Sequence, residues 1–352
     1  MKKYLLFCII PLLLVFMSMT PEEWKQWATA VAESQGYRLG DQLSVGTFYK
    51  KDHIRNMIYR VHTKDGKSAI LKLYADFKIT DEPIAMQAFE QQNKSTRLIN
   101  IPLVAMHIES PKKGWFIMEE LPLDIERFAS PLSAEQIDTF VQVYIEYRKY
   151  FPKEPTRELR LSEYLSASEF HTIRIYSWFR LANEQEEARR QQGIPLLLAP
   201  HSFVPLYEKA LAAIRDAYAN KQMIWSHGHV KPQEILYSPS KDLYYLLDFA
   251  HTKMYPVGYE QGFIIWADLF MGDWNTAIHN SYDSWRTAIS RWEEVLCPTL
   301  TVDANSPFWR AIVLERCLGT ILADVTASDQ LARELQEKKR DYVLRLVEEL
   351  LA

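Results

Sequence analysis

Short apolar segments with strand-like patterning fill the first third of the chain. They are separated by polar turns, and Asp65 and Gly66 supply one such turn between two of them. One helix is predicted before the strands, at 21–35, and one among them, at 84–98. The predicted strands are 37–45, 57–63, 68–74, 103–108 and 115–118. The element order after the first helix is therefore β-β-β-α-β-β.

Beyond residue 122 the apolar positions recur at helical spacing. Two short strands, at 235–237 and 244–249, interrupt this helical region. The predicted helices are 133–150, 158–191 (in one piece or with a break), 203–219, 282–296, 307–323 and 329–351. A small antiparallel-sheet lobe at 20–121, followed by a large, mainly helical lobe at 122–352, defines an α+β fold of two lobes.

The first 19 residues differ from the rest of the chain in composition. Lys2 and Lys3 precede an apolar run at 4–19, a pattern typical of a signal peptide or a short anchor. The run is shorter than the roughly 20 residues that cross a bilayer. A membrane attachment through 4–19 is one interpretation. The other is a misplaced start, with translation beginning at Met17 or Met19.

A helix start follows this segment directly. Thr20 is a good N-cap, Pro21 suits the first helical turn, and Glu23 completes a capping box. We therefore expect the folded domain to begin at Thr20.

Composition narrows the class of partner. The formal net charge is −4, so there is no chain-wide positive field that would hold a nucleic acid backbone. The three cysteines, Cys8, Cys297 and Cys317, show no metal-ligand spacing and are too few for a disulfide framework. We expect a cytoplasmic protein that does not bind nucleic acid, associated with a membrane only if 4–19 is retained.

Lys72 ends the segment Ala-Ile-Leu-Lys on the third predicted strand. Enzymes that transfer a phosphoryl group from ATP hold its phosphates with a lysine in this place, and a glutamate of the next helix orients that lysine. Glu90 is the candidate for this glutamate, and Glu82 is the second choice. By itself each residue fits a solvent-exposed strand or helix face equally well.

The most specific segment lies at 225–237 and reads Trp-Ser-His-Gly-His-Val-Lys-Pro-Gln-Glu-Ile-Leu-Tyr. A second apolar stretch follows it and ends in Asp248 and Phe249. This arrangement closely resembles the catalytic loop of the aminoglycoside phosphotransferase and choline kinase superfamily. The family loop reads His-Gly-Asp, four residues, Asn, a short strand, and an apolar run that ends in Asp-Phe or Asp-Trp. In element order the resemblance extends over nearly the whole chain from residue 37.

The resemblance implies a protein-kinase-like fold that binds ATP and Mg²⁺ and phosphorylates a hydroxyl group of a small molecule. It implies that Asp248 holds the metal and that the backbone of Glu119 and Leu121 meets adenine at an interlobe hinge. It also implies that the stretch 259–269, which contains Asp268, packs beneath the catalytic loop.

This chain departs from the family pattern at two positions. His229 stands where the family has its catalytic aspartate, and Glu234 stands where it has its metal-binding asparagine. Histidine can act as a base near neutral pH, and glutamate still offers oxygen ligands to Mg²⁺. We therefore predict His229 as the base and Asp248 with Glu234 as the magnesium ligands. The phosphate-covering loop is weak, because 44–47 holds a single glycine, Gly46.

Three functions remain open from the sequence. The first is a phosphotransferase with altered loop chemistry, and the second is a catalytically inactive relative that binds nucleotide or a partner. The third is a metal-dependent hydrolase in which His227 and His229 act as ligands together with Asp248, Glu234 or His251. The acceptor and the oligomeric state have no signature in the sequence.

Overall fold

The computed structural model describes residues 19–48, 50–76, 79, 81–328 and 331–352, with backbone only at 48 and 50–53. The apolar segment that suggests membrane attachment lies, apart from Met19, outside these residues. Met19 packs against the core of the sheet unit described below. Within the described ranges, no helix is both long and apolar enough to span a membrane.

The helices follow the sequence pattern closely in the second half of the chain. In chain order they are α1 Pro21–Ser34, α2 Glu82–Gln92, α3 Ala134–Tyr150, α4 Ala167–Gln191, α5 Pro200–Tyr218, α6 Tyr259–Ile265, α7 Tyr282–Leu300, α8 Pro307–Gly319 and α9 Arg333–Leu351. Two π-helical segments, Trp266–Phe270 and Thr320–Thr326, continue α6 and α8.

The strands are short except for the first two. In chain order they are β1 Arg38–Phe48, β2 Lys50–His62, β3 Ser68–Tyr74, β4 Leu98–Asn100, β5 Leu103–Ser110, β6 Lys113–Glu119, β7 Glu126–Arg127, β8 Met223–Ser226, β9 Ile235–Ser238, β10 Leu243–Leu246 and β11 Lys253–Pro256.

The chain divides into two compact units. The first comprises Met1–Phe77 and Val104–Glu120, and the second comprises Lys78–Leu103 and Leu121–Ala352. The α+β fold class, with an antiparallel sheet unit and a larger, mainly helical unit, is as predicted. Helix α2 lies in the second unit.

The first unit is a sheet of order β1-β2-β3-β6-β5 with α1 packed on it. Helix α1 begins with the predicted capping box of Thr20 and Glu23. Side chains on β3 alternate between buried and half-buried positions, because successive residues of a strand point to opposite faces. The apolar face of the sheet meets Trp24 and Ala28 of α1, so one core forms between helix and sheet.

Two helix boundaries in the second unit differ most from the sequence prediction. Helix α2 ends at Gln92, not at 98, because the side chain of Asn93 donates a hydrogen bond to the carbonyl of Leu98 (2.6 Å) and turns the chain. The next residues form β4, which pairs in parallel with β10. Helix α4 begins at Ala167, not at 158, because Ser166 and Glu169 form a capping box there, and only the 3-10 turn Leu161–Glu163 precedes it in the predicted range.

Two antiparallel hairpin-like pairings hold the segment that carries the predicted catalytic loop. Strand β8 pairs with β11, with Ser226 opposite Lys253, and β9 pairs with β10, with Ile235 opposite Leu246. The backbone between β8 and β9 therefore runs alongside the backbone between β10 and β11. This brings 227–234 next to 247–252.

Candidate active site

The ring of His227 links the loop after β8 to the segment after β10. Its side chain is fully buried, and Nε2 lies 2.8 Å from the carbonyl oxygen of Leu247. Since a carbonyl can only accept, Nε2 carries the ring proton, and Nδ1 accepts from the backbone N–H of His229 (3.3 Å). Burial lowers the pKa of His227 to about 3, so the ring is neutral. Both ring nitrogens are thus engaged within the loop.

Gly228 permits the sharp turn that follows. Its φ is +75°, and a Cβ placed there would lie 2.0 Å from the ring of Tyr255. The backbone N–H of Gly228 donates to Glu260 Oε1 (3.0 Å). Only glycine satisfies both the left-handed backbone and the close ring contact.

Glu260, at the start of α6, anchors the loop from below. Its carboxylate is buried and also accepts from the hydroxyl of Tyr147 (2.8 Å), while Arg148 lies 3.3 Å away. The same Tyr147 oxygen accepts from the backbone N–H of His227 (2.9 Å). Burial, with the charge of Glu260 added, raises the pKa of Tyr147 well above its ordinary value, so the hydroxyl keeps its proton.

Asp248 follows β10 in the left-handed conformation, with φ 58° and ψ 56°. Its Oδ2 lies 2.6 Å from His229 Nδ1 and 4.0 Å from His251 Nε2. The two imidazole rings lie 4.3 Å apart, and the ring of Phe263 packs against His229. We call His229, Asp248 and His251 the His-Asp-His cluster. Its ligand atoms all lie within 4.8 Å of one another.

The 2.6 Å contact between His229 and Asp248 is not an aligned hydrogen bond. Nδ1 of His229 is buried, and no group in the described part of the chain forms a hydrogen bond with it. The contact therefore meets the distance for an ion pair but lacks the angle for N–H···O donation. The two atoms lie side by side, without aiming at each other.

Glu234 is positioned differently from Asp248. It ends the 3-10 turn Pro232–Glu234, and its Oε1 lies 3.2 Å from Lys231 Nζ. Its backbone carbonyl accepts from the N–H of Leu247 (2.9 Å). This is a second hydrogen bond, besides that of His227, between the segments 227–234 and 247–252. The carboxylate of Glu234 is not a member of the His-Asp-His cluster.

The donor atoms around Asp248 can be compared with the ligands that Mg²⁺ requires. This ion demands oxygen ligands in near-octahedral geometry. The cluster offers one carboxylate and two imidazole nitrogens, and the second predicted magnesium ligand, Glu234, pairs with Lys231. The three side chains of the His-Asp-His cluster by themselves do not form the all-oxygen ligand set of a magnesium site.

In the first unit, Lys72 lies on β3 as expected, opposite Ile58 of β2 and Phe116 of β6. Its Nζ lies 5.7 Å from the centre of the Phe116 ring. Glu119 is the exposed last residue of β6, and residues 44–47, which include Gly46, continue strand β1.

In the second unit, the two candidate glutamates of α2 differ in environment. Glu90 is exposed near the end of the helix, whereas Glu82 is only 4% exposed in its first turn. Leu121 is half-buried and belongs to this unit.

Asp268 is buried within the π-helical segment after α6. It accepts from the backbone N–H of Leu132 (3.1 Å) and from Nε1 of Trp292 (2.9 Å). Burial raises the pKa of Asp268 to about 6, and the bonds from Trp292 and Leu132 oppose that rise.

Some residues of this site have no clear signal in the sequence. Sequence reasoning gives Glu260 and Tyr147 no role, because their contacts join segments more than 30 residues apart. It names His251 only as an alternative metal ligand. The place of His251, three residues after Asp248 in a His-containing loop, is the signal that points to it.

The fold of this chain is similar to the protein-kinase-like fold of solved aminoglycoside phosphotransferases. No protein-family model matches the sequence, and no curated protein matches it either.

Several solved aminoglycoside phosphotransferases share this fold over nearly their whole length. One from Alicyclobacillus acidocaldarius has a TM-score of 0.54 and 12% identity, covering 94% of this chain and 96% of that chain. Aminoglycoside phosphotransferase APH(4)-Ia has a TM-score of 0.53 and 12% identity, covering 94% and 98%. A putative aminoglycoside phosphotransferase from Ralstonia eutropha has a TM-score of 0.53 and 13% identity, covering 91% and 98%.

Proposed function

We propose that this protein is a phosphotransferase that moves the γ-phosphoryl group of ATP to a hydroxyl group of a small molecule. The observation that carries the proposal is the joint presence of this fold over more than nine tenths of the chain and of Asp248 in the loop that follows β10. APH(4)-Ia, whose fold is similar, has been crystallised with ADP and hygromycin B and with AMP-PNP and hygromycin B. These complexes support nucleotide binding and a small-molecule acceptor for this chain.

Each predicted residue has a proposed role. Lys72 binds the nucleotide phosphates, Glu90 or the buried Glu82 orients that lysine, and the backbone of Glu119 and Leu121 meets adenine. Magnesium at Asp248 and Glu234 stays a prediction.

The reaction itself asks little covalent chemistry of the protein, because positioning and charge neutralisation dominate phosphoryl transfer. The acceptor oxygen forms a bond to the γ-phosphorus while the bond from that phosphorus to the bridging oxygen of ADP breaks. The proton of the acceptor hydroxyl needs a base. His229 is the candidate, and since its Nδ1 is buried against Asp248, Nε2 is the ring atom available for this role.

The second candidate function is a nucleotide-binding module without turnover. It is favoured by one observation, namely that an imidazole occupies the position of the family's catalytic aspartate and lies against the carboxylate of Asp248. Such a module would keep the fold and the nucleotide while lacking the base.

One experiment separates the two. The full chain is incubated with ATP, a divalent cation and a panel of hydroxyl compounds, and ADP release is measured beside a thermal-shift titration with ADP. If the protein is a phosphotransferase, ADP release should depend on the acceptor and should be abolished by Asp248→Asn. The control Asp283→Asn, a matched change at an exposed helix position, should leave ADP release unchanged. Stabilisation by nucleotide without ADP release would favour the module. If neither is seen, both proposals fail.

A further inference from the structure

We propose that the His-Asp-His cluster of His229, Asp248 and His251 binds one divalent transition-metal ion of the zinc class in preference to magnesium. The proposal shares Asp248 and His229 with the proposed function, and otherwise does not depend on it. All three residues belong to the second unit, so the site is complete within that unit.

The positions of the donor atoms carry the first step. Oδ2 of Asp248 lies 2.6 Å from His229 Nδ1 and 4.0 Å from His251 Nε2. Ligands that each lie about 2.0–2.2 Å from a tetrahedral zinc ion are separated from one another by about 3.4 Å. The two measured separations bracket that value, so small side-chain rotations bring all three donors onto one ion.

The second step is the unusual environment of His229 Nδ1. This atom is buried, and within the described residues it forms no hydrogen bond, although a carboxylate oxygen lies beside it. A buried polar atom without a hydrogen bond is costly. If the lone pair of His229 Nδ1 and Asp248 Oδ2 bind the same ion, both atoms point at the ion. This explains why they lie close together without a hydrogen bond between them.

Third, the surroundings hold the donors in place. His229 is fixed through its backbone N–H, which donates to the buried ring of His227, and Phe263 packs on its ring. The hydroxyl of Tyr255 donates to the backbone carbonyl of His251 (2.9 Å). Restraint of this kind, from groups behind the ligands, is what tunes and rigidifies protein metal sites.

The donor set decides the class of metal. Imidazole nitrogen suits zinc, cobalt, iron and other first-row ions, whereas magnesium prefers oxygen. Three protein ligands leave coordination positions open, as in metal sites that also bind a substrate group. His227 is excluded as a ligand, because its Nε2–H donates to Leu247 and its Nδ1 accepts from His229.

An ion on Nδ1 has a consequence for His229. The ring proton then stays on Nε2, so metal-bound His229 cannot accept the proton of an acceptor hydroxyl. His229 therefore cannot be a metal ligand and a base at the same time: with metal bound it is a ligand, and without metal it is available as a base.

The test is a metal titration of the full chain without nucleotide. After removal of chelator, Zn²⁺, Co²⁺ and Mg²⁺ are each added alone, and binding is followed by calorimetry and, for Co²⁺, by visible absorption. We expect one Zn²⁺ or Co²⁺ per chain and Mg²⁺ binding weaker by at least about 100-fold. His251→Gln should weaken Zn²⁺ binding by about 100-fold, since even the loss of a residue behind a ligand costs roughly 10- to 100-fold.

The control is His201→Gln, an exposed histidine on α5 outside the cluster, which should bind Zn²⁺ as the unchanged chain does. His229→Gln is a second variant, and thermal unfolding checks that each variant is folded. Equal affinity for Zn²⁺ and Mg²⁺, or full Zn²⁺ binding by folded His251→Gln, would overturn the proposal. Because the titration contains no nucleotide, its outcome does not depend on ADP release. A chain that binds Zn²⁺ here but releases no ADP when Mg²⁺ is the only cation added to the enzyme assay would contradict the proposed function alone.

Discussion

The imidazole of His227 donates a hydrogen bond from Nε2 to the carbonyl of Leu247 across 2.8 Å. Leu247 immediately precedes Asp248, and His227 lies two residues before His229. This one bond therefore fixes the spacing between the two loop segments that carry the candidate chemistry. The ring that makes it is fully buried and neutral, so the bond depends on pH.

The first prediction concerns acid sensitivity. The pKa of His227 is lowered by burial to about 3, below the unfolded value near 6.5. Its contribution to stability is therefore complete above pH 6.5 and is lost as pH falls toward 3, by about 2 kcal/mol at pH 5. His227→Phe should destabilise the protein by about 1–3 kcal/mol at pH 7, because two backbone groups lose their partner. Its deficit should shrink at pH 5.

Urea unfolding at both pH values measures this difference. The control is His201→Phe, at an exposed position on α5, which should unfold with the pH dependence of the unchanged chain. A deficit for His227→Phe that is the same at pH 7 and pH 5 would contradict a buried neutral ring.

The second prediction compares two glycines with similar backbone. Gly228 and Gly193 have φ values of +75° and +69°, but a Cβ at Gly228 would meet the ring of Tyr255 whereas a Cβ at Gly193 has nothing within 4 Å. Gly193→Ala should cost about 1 kcal/mol from backbone strain alone. Gly228→Ala should cost about 3 kcal/mol or more, since overpacking is added. Equal free energies of unfolding for the two variants would show that the Tyr255 contact is not tight.

The features that the sequence predicts correctly are those written in local patterns. The strands β1 to β3, the capping box at Thr20 and the short strand before Asp248 depend on residues close together in the chain. The short strands β8 and β11 are not predicted, because four-residue segments carry too little periodicity to be recognised.

Contacts between distant segments cannot be predicted either. Nothing near Glu260 indicates that it accepts from the backbone of Gly228, 32 residues away. The same holds for the convergence of His251 on Asp248 and His229, which depends on the pairing of β8 with β11. The sequence pattern extends helix α2 too far, because the turn made by Asn93 is a side-chain effect.

The third prediction tests nucleotide binding by the first unit. If Lys72 holds phosphates, Lys72→Met should remove most of the thermal stabilisation by ADP and leave the protein folded. The matched control is Lys67→Met, whose side chain is 82% exposed in the hairpin after β2 and which should respond to ADP normally. Unchanged stabilisation in Lys72→Met would remove this lysine from the proposed site.

The fourth prediction separates the two glutamates of α2. A carboxylate that orients a lysine works best when it is shielded from water, and Glu82 is buried whereas Glu90 is exposed. We expect Glu82→Gln to weaken ADP binding by about tenfold, which is the loss of one charge-assisted interaction. Glu90→Gln, measured in the same calorimetric titration, should bind almost as the unchanged chain does. The reverse order would support Glu90 as the glutamate that orients the lysine.

The last prediction concerns Asp268, whose pKa is raised by burial to about 6 against an ordinary value of 3.8. The folded state holds a proton that the unfolded state has lost, so stability is full below pH 3.8 and falls as pH rises through 6. Asp268→Asn cannot titrate, but its amide gives only one acceptor for the N–H groups of Leu132 and Trp292, so it should start less stable by about 1–3 kcal/mol. Between pH 5 and pH 7.5 that deficit should narrow by about 1 kcal/mol.

Urea unfolding at both pH values measures the deficit of Asp268→Asn, with exposed Asp283→Asn as the control that should show no such narrowing. A deficit that stays the same between pH 5 and pH 7.5 would mean that the buried carboxylate is ionised throughout, held by the donors of Leu132 and Trp292 against the cost of its burial.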